Sequence, residues 1–180
     1  PQSRLIGVKD KKYPAHLSAL WHGLAGHAMD WDDTQVSYGP GRMYGLLTHP
    51  TVPPLSACLS IGEMIGGIDG KKFVTAFNAG FEVECKIAEA INPDHYARGF
   101  HTSGTIGTFG SAVAAAKILD FNEEQIAMTI GIASSMASGI RANFGTMTKP
   151  LHVGRSSENG VTAALLVKNG FTADTNSLDG

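Results

Sequence analysis

Disulfides and zinc ribbons have almost no raw material in this chain. Its two cysteines, Cys58 and Cys85, stand far apart in apolar helical patterns, without CxxC spacing. That usage suits a reducing, cytoplasmic compartment. Charge is also scarce: charged residues make up 17% of the 180, the formal net charge is -2, and no Lys/Arg run exceeds Lys11-Lys12 or Lys71-Lys72. A surface without a basic field has little to hold phosphates, so no nucleic-acid partner is expected. Long hydrophobic runs are missing too. Gly, Ser or a charge interrupts each of them well short of a membrane span, and no charged-then-apolar leader opens the chain, so neither a membrane partner nor secretion is expected. Finally, no stretch alternates polar and apolar residues, which removes the usual mark of a β-strand.

What remains is helical. Apolar residues are 43% of the chain, enough for one compact domain, and the 22 glycines are spread through helical patterns, where close helix contact explains them. From Pro14, apolar side chains recur at Leu17, Leu20, Trp21, Leu24, Ala25, Ala28 and Met29, predicting a first helix that ends near Asp30. Residues 35–50, with Tyr38, Gly39, Pro40, Gly41 and Gly45, read as a long loop of the kind that often carries function. A second helix follows Thr51 and stops at Gly66-Gly67; a third runs from Asp69 or Gly70 to Asn92-Pro93. After an irregular piece from Tyr96 to His101, Thr102 or Ser103 caps a fourth helix through Leu119, whose small residues place it centrally. The Asn122 to Gln125 capping box starts a fifth helix running to about Arg141. A loop covers 142–148, and a sixth helix runs from near Pro150 to Lys168. The fold class is therefore all-α, a bundle-like domain of about six helices.

On this layout the unusual polar residues gather at helix ends and loops: Asp30, Asp32, Asp33 and Thr34, then His49, His95, His101, Lys149 and His152. His101 and Lys149 each fall at a helix N-terminus, and His49 just before another, a setting that favours anionic groups. Asp30 can orient an imidazole or accept a proton, and Lys149 supplies positive charge or acts as an acid. Plainer readings stand beside these. Asp32 and Asp33 suit a solvated helix end or the bracing of the loop that carries His49, a lone histidine is commonly a structural hydrogen-bonding residue, and Lys149 before Pro150 suits the surface. His16, His22 and His27, along the first helix, read as structural or exposed. No HExxH, HD pair or Cys/His set of zinc spacing is present, so no metal is expected. GRMYG and GTIGTFG neither follow a strand nor end in GK[ST], which makes them weak phosphate loops.

Three ordered stretches carry a resemblance. HAMDWDDT followed by THP, then GFHTSGTIGTFGSAVAAAKIL, then GTMTKPLHVGRSSENGVTAALL are similar to the MmgE/PrpD family, which includes 2-methylcitrate dehydratase, cis-aconitate decarboxylase and iminodisuccinate epimerase. The similarity runs from about Leu17 to Gly180. It implies the helical domain of a larger homodimeric enzyme whose smaller α/β lid lies elsewhere, so this chain is expected to be incomplete at both ends and to expose apolar surface. It also implies a pocket built from Asp30, Thr34, His49, His101 and Lys149, to which His152 is added here as a substrate-binding candidate.

The expected function is a cofactor-free lyase or isomerase acting on a small di- or tricarboxylate by proton transfer next to a carboxylate. Asp30, His49, His101 and Lys149 are the catalytic candidates, with Thr34 and His152 binding substrate. Two rivals remain. One is a non-catalytic helical module that pairs with a second chain; the other is a metal-dependent hydrolase using Asp30, Asp32, His49 and His101, which predicts stoichiometric metal.

Overall fold

The computed structural model describes residues 2–39, 42–45 and 47–179. Helix α1 (Ala15–His27) follows Pro14 and turns Ala15, Ser18, Ala19, His22, Gly23 and His27 inward. It stops at His27, short of the predicted end. Asp30 then adopts φ 56 with its N–H on the His27 carbonyl at 3.1 Å, a left-handed conformation that aspartate tolerates better than most residues.

Helices α2 (Val52–Met64) and α3 (Gly70–Ile91) fall where the periodicity places them, and Asp69 caps α3 by accepting the Lys72 N–H. A one-turn helix, α4 (Asp94–Ala97), occupies part of the segment expected to be irregular. The expected fourth helix is divided at Ile106 into α5 (Thr102–Thr105) and α6 (Gly107–Ile118). There the Phe109 N–H reaches back three residues to the Ile106 carbonyl, a tighter turn than the α-helix allows. The Asn122–Gln125 capping box forms as read, opening α7 (Glu123–Met136). That helix ends five residues before Arg141. Ala137 is extended and Gly139 has φ 135, which no helix accommodates. A 3-10 turn at Arg141–Asn143 leads to α8 (Thr148–Lys168).

Two antiparallel hairpins correct the expectation of no strands: β1 (Gln2–Arg4) with β2 (Lys12–Pro14), and β3 (Val36–Gly39) with β4 (Arg42–Gly45). Strands of three or four residues are too short to show an alternation. Pro40 and Gly41 of the predicted loop, the latter also the first residue of GRMYG, lie outside the described residues.

Every residue of α6 except Lys117 is buried, and α2, α3, α7 and α8 surround it. The small side chains make this possible. A Cβ added at Gly160 of α8 would fall 2.5 Å from the Ala112 backbone nitrogen, so the two helices meet backbone to backbone. One apolar cluster, including Ala57, Ile61, Ala115, Ile118 and Val161, fills one side of α6; Phe109, Ile132, Ala133 and Val167 fill another. The GTIGTFG glycines serve this packing: Gly107 lies against Pro53 and Gly110 against Glu84. Among the described residues no helix is long and apolar enough to cross a membrane.

Candidate active site

The C-terminal end of α1, the stretch before α2, the start of α5 and the start of α8 converge. Asp30 stands at the centre. The Lys149 ammonium, on the first turn of α8, donates to Asp30 Oδ1 at 2.6 Å, and His49 Nε2 is 3.7 Å from the same oxygen. Beneath them lies His27, whose side chain is fully buried. Its Nδ1 is 2.9 Å from both oxygens of Asp32, and its Nε2 is 3.6 Å from Asp30 Oδ1. With carboxylate oxygens on Nδ1, that nitrogen carries the proton and donates it. The His27 and His49 rings meet edge to face with centroids 4.7 Å apart, and His49 Nδ1 is 3.6 Å from Asp32 Oδ2.

His101 caps α5 and is 6.2 Å, ring to ring, from His27. Its Nδ1 lies 2.9 Å from His152 Nδ1, so one imidazole donates and the other accepts. The segment after α7 holds this region in place: the His101 N–H donates to the Gly139 carbonyl at 3.0 Å and the Arg141 N–H to the Gly99 carbonyl at 2.8 Å. Phe144 wedges between His101 and Lys149, its ring 4.8 Å from the imidazole and 5.2 Å from the ammonium nitrogen. An ammonium over an aromatic face gains electrostatic attraction from the ring.

Five of the six residues singled out for the site thus come together: Asp30, His49 and Lys149 in direct contact, His101 and His152 as an adjoining pair. Thr34 is exposed and makes none of these contacts among the described residues. His27, read as structural or exposed, forms the buried floor of the cluster, and Asp32 is its partner. The usable signal was a spacing of five residues spanning a helix end, which lets the chain fold back on its own last turn.

Electrostatics separates the charged groups from the neutral ones. The Lys149 hydrogen bond holds the Asp30 carboxyl below its usual range. Burial lowers His49, with Asp32 opposing, and lowers His152. His101 is driven down to about 3, by burial first and then by His152, His27, Lys149 and His49. The crevice therefore combines the Asp30 carboxylate and its Lys149 partner with imidazoles at His49, His101 and His152 that burial keeps neutral. Ligand atoms of His27, Asp30, Asp32 and His49 also lie within 4.8 Å of one another, a donor set of the type divalent cations use. This set includes His27 in place of the His101 of the metal-hydrolase reading.

Carboxylates, imidazoles and one ammonium gathered at the helix ends of a mainly helical domain are groups that can exchange protons with a small anion. The MmgE/PrpD N-terminal domain matches residues 1–180, and the chain belongs to this family. Human cis-aconitate decarboxylase is 32% identical over 178 residues, 98% of this chain and 36% of that protein. The mouse cis-aconitate decarboxylase is 32% identical over 181 residues, covering 98% and 35%, and the Aspergillus terreus enzyme is 32% identical over 172 residues, covering 94% and 34%. The chain thus spans about a third of the length of the curated relatives it matches.

Proposed function

We propose that this domain forms one wall of the pocket of a lyase or isomerase that acts on a small di- or tricarboxylate. The observation that supports it is the Lys149–Asp30–His49 contact: an ammonium able to exchange its bond to Asp30 for one to a substrate carboxylate, beside an imidazole kept neutral. Decarboxylation of cis-aconitate, the activity named for the relatives, is the first candidate reaction. Dehydration of 2-methylcitrate and epimerisation of iminodisuccinate are the alternatives, because each passes through negative charge developing on a carbon next to a carboxylate.

In the decarboxylation, a carbon–carbon bond to a carboxylate breaks, CO2 leaves, and the electron pair left behind takes a proton from an acid. Lys149 supplies that proton, directly or relayed through the neutral imidazole of His49 or His101, and its positive charge faces a remaining carboxylate. Asp30 keeps Lys149 and His49 in place until the substrate arrives. This chemistry breaks one carbon–carbon bond and moves one proton, with no oxidation or reduction, and calls for no cofactor. Thr34 and His152 contribute hydrogen bonds to substrate in this reading, Thr34 by swinging in from an exposed position. Met29, Trp31 and Met147, which flank Asp30 and Lys149, are exposed and form an apolar rim on which the rest of the protein closes. The working unit is a cytoplasmic homodimer, which light scattering on the full-length protein tests.

The decisive experiment mixes the full-length protein with cis-aconitate, 2-methylcitrate and iminodisuccinate, then repeats the assay with His101→Ala and Lys149→Ala. Turnover of one substrate, reduced roughly 100-fold or more in both variants, is expected. Turnover unchanged in both would overturn the site assignment.

A further inference from the structure

One buried carboxyl has no part in that chemistry, and it is bonded to the residue just before His49. Glu84, midway along α3, is 0% exposed. Its Oε1 accepts the Thr48 hydroxyl at 2.9 Å, and Oε2 has no hydrogen-bond partner among the described residues. Opposite Oε2 stands Gly110 of α6, where a Cβ would collide with that oxygen. Room for the carboxyl has therefore been left on the facing helix. Burial, with Asp33 adding to it and the Thr48 bond opposing, pushes this carboxyl well above its usual range, so it is held neutral. An acid bound to one threonine is a costly filler for a core, since an apolar side chain would fill it without desolvating two oxygens.

What it holds is a short, strained piece of backbone. Leu47 has φ 58, an outlier for a leucine, and such conformations persist only where neighbouring contacts over-determine them. The contacts are present in the next two residues. The Thr48 side chain is tied to Glu84, the Thr48 carbonyl accepts the Gln35 N–H at 3.2 Å, and the His49 N–H donates to Ser103 Oγ at 2.9 Å. From there the His49 ring reaches between Asp30 and Asp32.

We propose that Glu84 is a positioning residue for His49: by holding the Thr48 hydroxyl it fixes the strained Leu47–Thr48 backbone from which the imidazole enters the Asp30–Lys149 crevice. The proposal rests on His49 belonging to the site and gives the Thr48–Glu84 pair a role in the reaction without contact to substrate.

The test uses the full-length protein and two readouts. Thr48→Val and Glu84→Leu remove the bond; Thr48→Ser and Glu84→Gln keep a hydroxyl and an acceptor oxygen. In imidazole nitrogen–proton correlation spectra, with the His49 signals assigned by their loss in His49→Gln, the first pair is expected to shift or broaden them and the second pair to restore them. In the assay, the first pair is expected to lose roughly 10- to 100-fold in kcat with KM within about threefold, and the second pair to stay within about threefold of the parent. Unshifted His49 signals in Thr48→Val and Glu84→Leu would overturn the proposal even if the protein proved to have some other activity. Equal losses in all four variants, tracking their thermal stability, would reduce Glu84 to a packing residue. Should the bond-removing variants not fold, Leu47→Gly relaxes the same backbone. It is expected to broaden the His49 signals, and sharp, unmoved ones would count equally against the idea.

Discussion

Two buried carboxyl groups flank the stretch that carries His49, and the protein treats them in opposite ways. Asp32, with a side chain 7% exposed, meets the fully buried His27 through both oxygens at 2.9 Å. Glu84, fully buried on the other side, meets a threonine hydroxyl alone among the described residues, and the charge that acts on it, Asp33, has the same sign. A charge in a low-dielectric interior is stable only beside an opposite charge or dense hydrogen bonding; without either, the group keeps its proton. His49 therefore stands on a boundary. The side facing Asp30 and Lys149 is ionic, and the side facing α3 and α6 is neutral.

Breaking the ionic side has the largest expected effect. Asp32→Ala strips His27 Nδ1 of its acceptor and leaves an imidazole buried without a partner. Urea unfolding is expected to show a loss of about 3 kcal/mol. Asp32→Asn, which retains an acceptor oxygen, is expected to lose only about 1 kcal/mol. Equal losses in the two variants would mean that an acceptor oxygen alone does not serve the buried ring and that the carboxylate charge is what it needs.

On the neutral side the matching change is steric. Gly110→Ala puts a methyl against Glu84 Oε2, 3.1 Å from Glu84 Cβ and 3.2 Å from the Gly80 carbonyl oxygen. Overpacking of this kind is expected to remove about 2 kcal/mol. Combining it with Glu84→Ala is expected to destabilise by less than the sum of the two changes, because one relieves the crowding of the other. Strict additivity in a double-mutant cycle would show that Gly110 is not there to house the carboxyl.

The two sides were unequally legible in the sequence. Asp30, His49, His101 and Lys149 stood out because each interrupts or ends an apolar pattern, where a polar residue needs a reason. His27 did not stand out, since it lies on the buried stripe of α1 and its partner Asp32 comes after the helix has ended. Glu84 was hidden differently: with Glu82 and Glu89 nearby it resembles the polar face of an amphipathic helix, and only the packing of α6 shows that it points inward. The long helices were readable because their caps and apolar periods agree. The end of α7 was not, because Ala137 and Ser138 carry no stop signal and Gly139 reveals its positive φ only through the bond its carbonyl makes to His101.

The histidine side also predicts an acid limb. His101 sits at about 3 in the folded chain against an ordinary 6.5, so the unfolded chain takes up its proton first as the pH falls. Its contribution is complete above pH 6.5 and is lost progressively between pH 6.5 and about 3. His22, His49, His95 and His152, also lowered by burial, act in the same direction. Thermal melts are expected to weaken from pH 7 to pH 5, and His101→Asn to flatten that fall by about 1 to 2 kcal/mol. A parallel slope in the variant would show that His101 is not the group being protonated.

Glu84 predicts the opposite limb and the smallest change. Its folded value lies well above the ordinary 4.5, so above that pH the unfolded chain ionises while the folded chain keeps the proton. Stability from this group is complete below pH 4.5 and declines as the pH rises toward the folded value. Glu84→Gln removes the titration and still offers Thr48 an oxygen, although its amide N–H groups gain no new acceptor. The net gain is therefore modest, about 1 kcal/mol at pH 7, but it is expected to be absent near pH 4 and to grow with pH. A gain of one constant size across that range would assign the effect to packing and leave the buried carboxyl ionised. In that case the boundary at His49 would not exist, because an ionised Glu84 would set a further negative charge against the same stretch of chain that Asp30 and Asp32 already face.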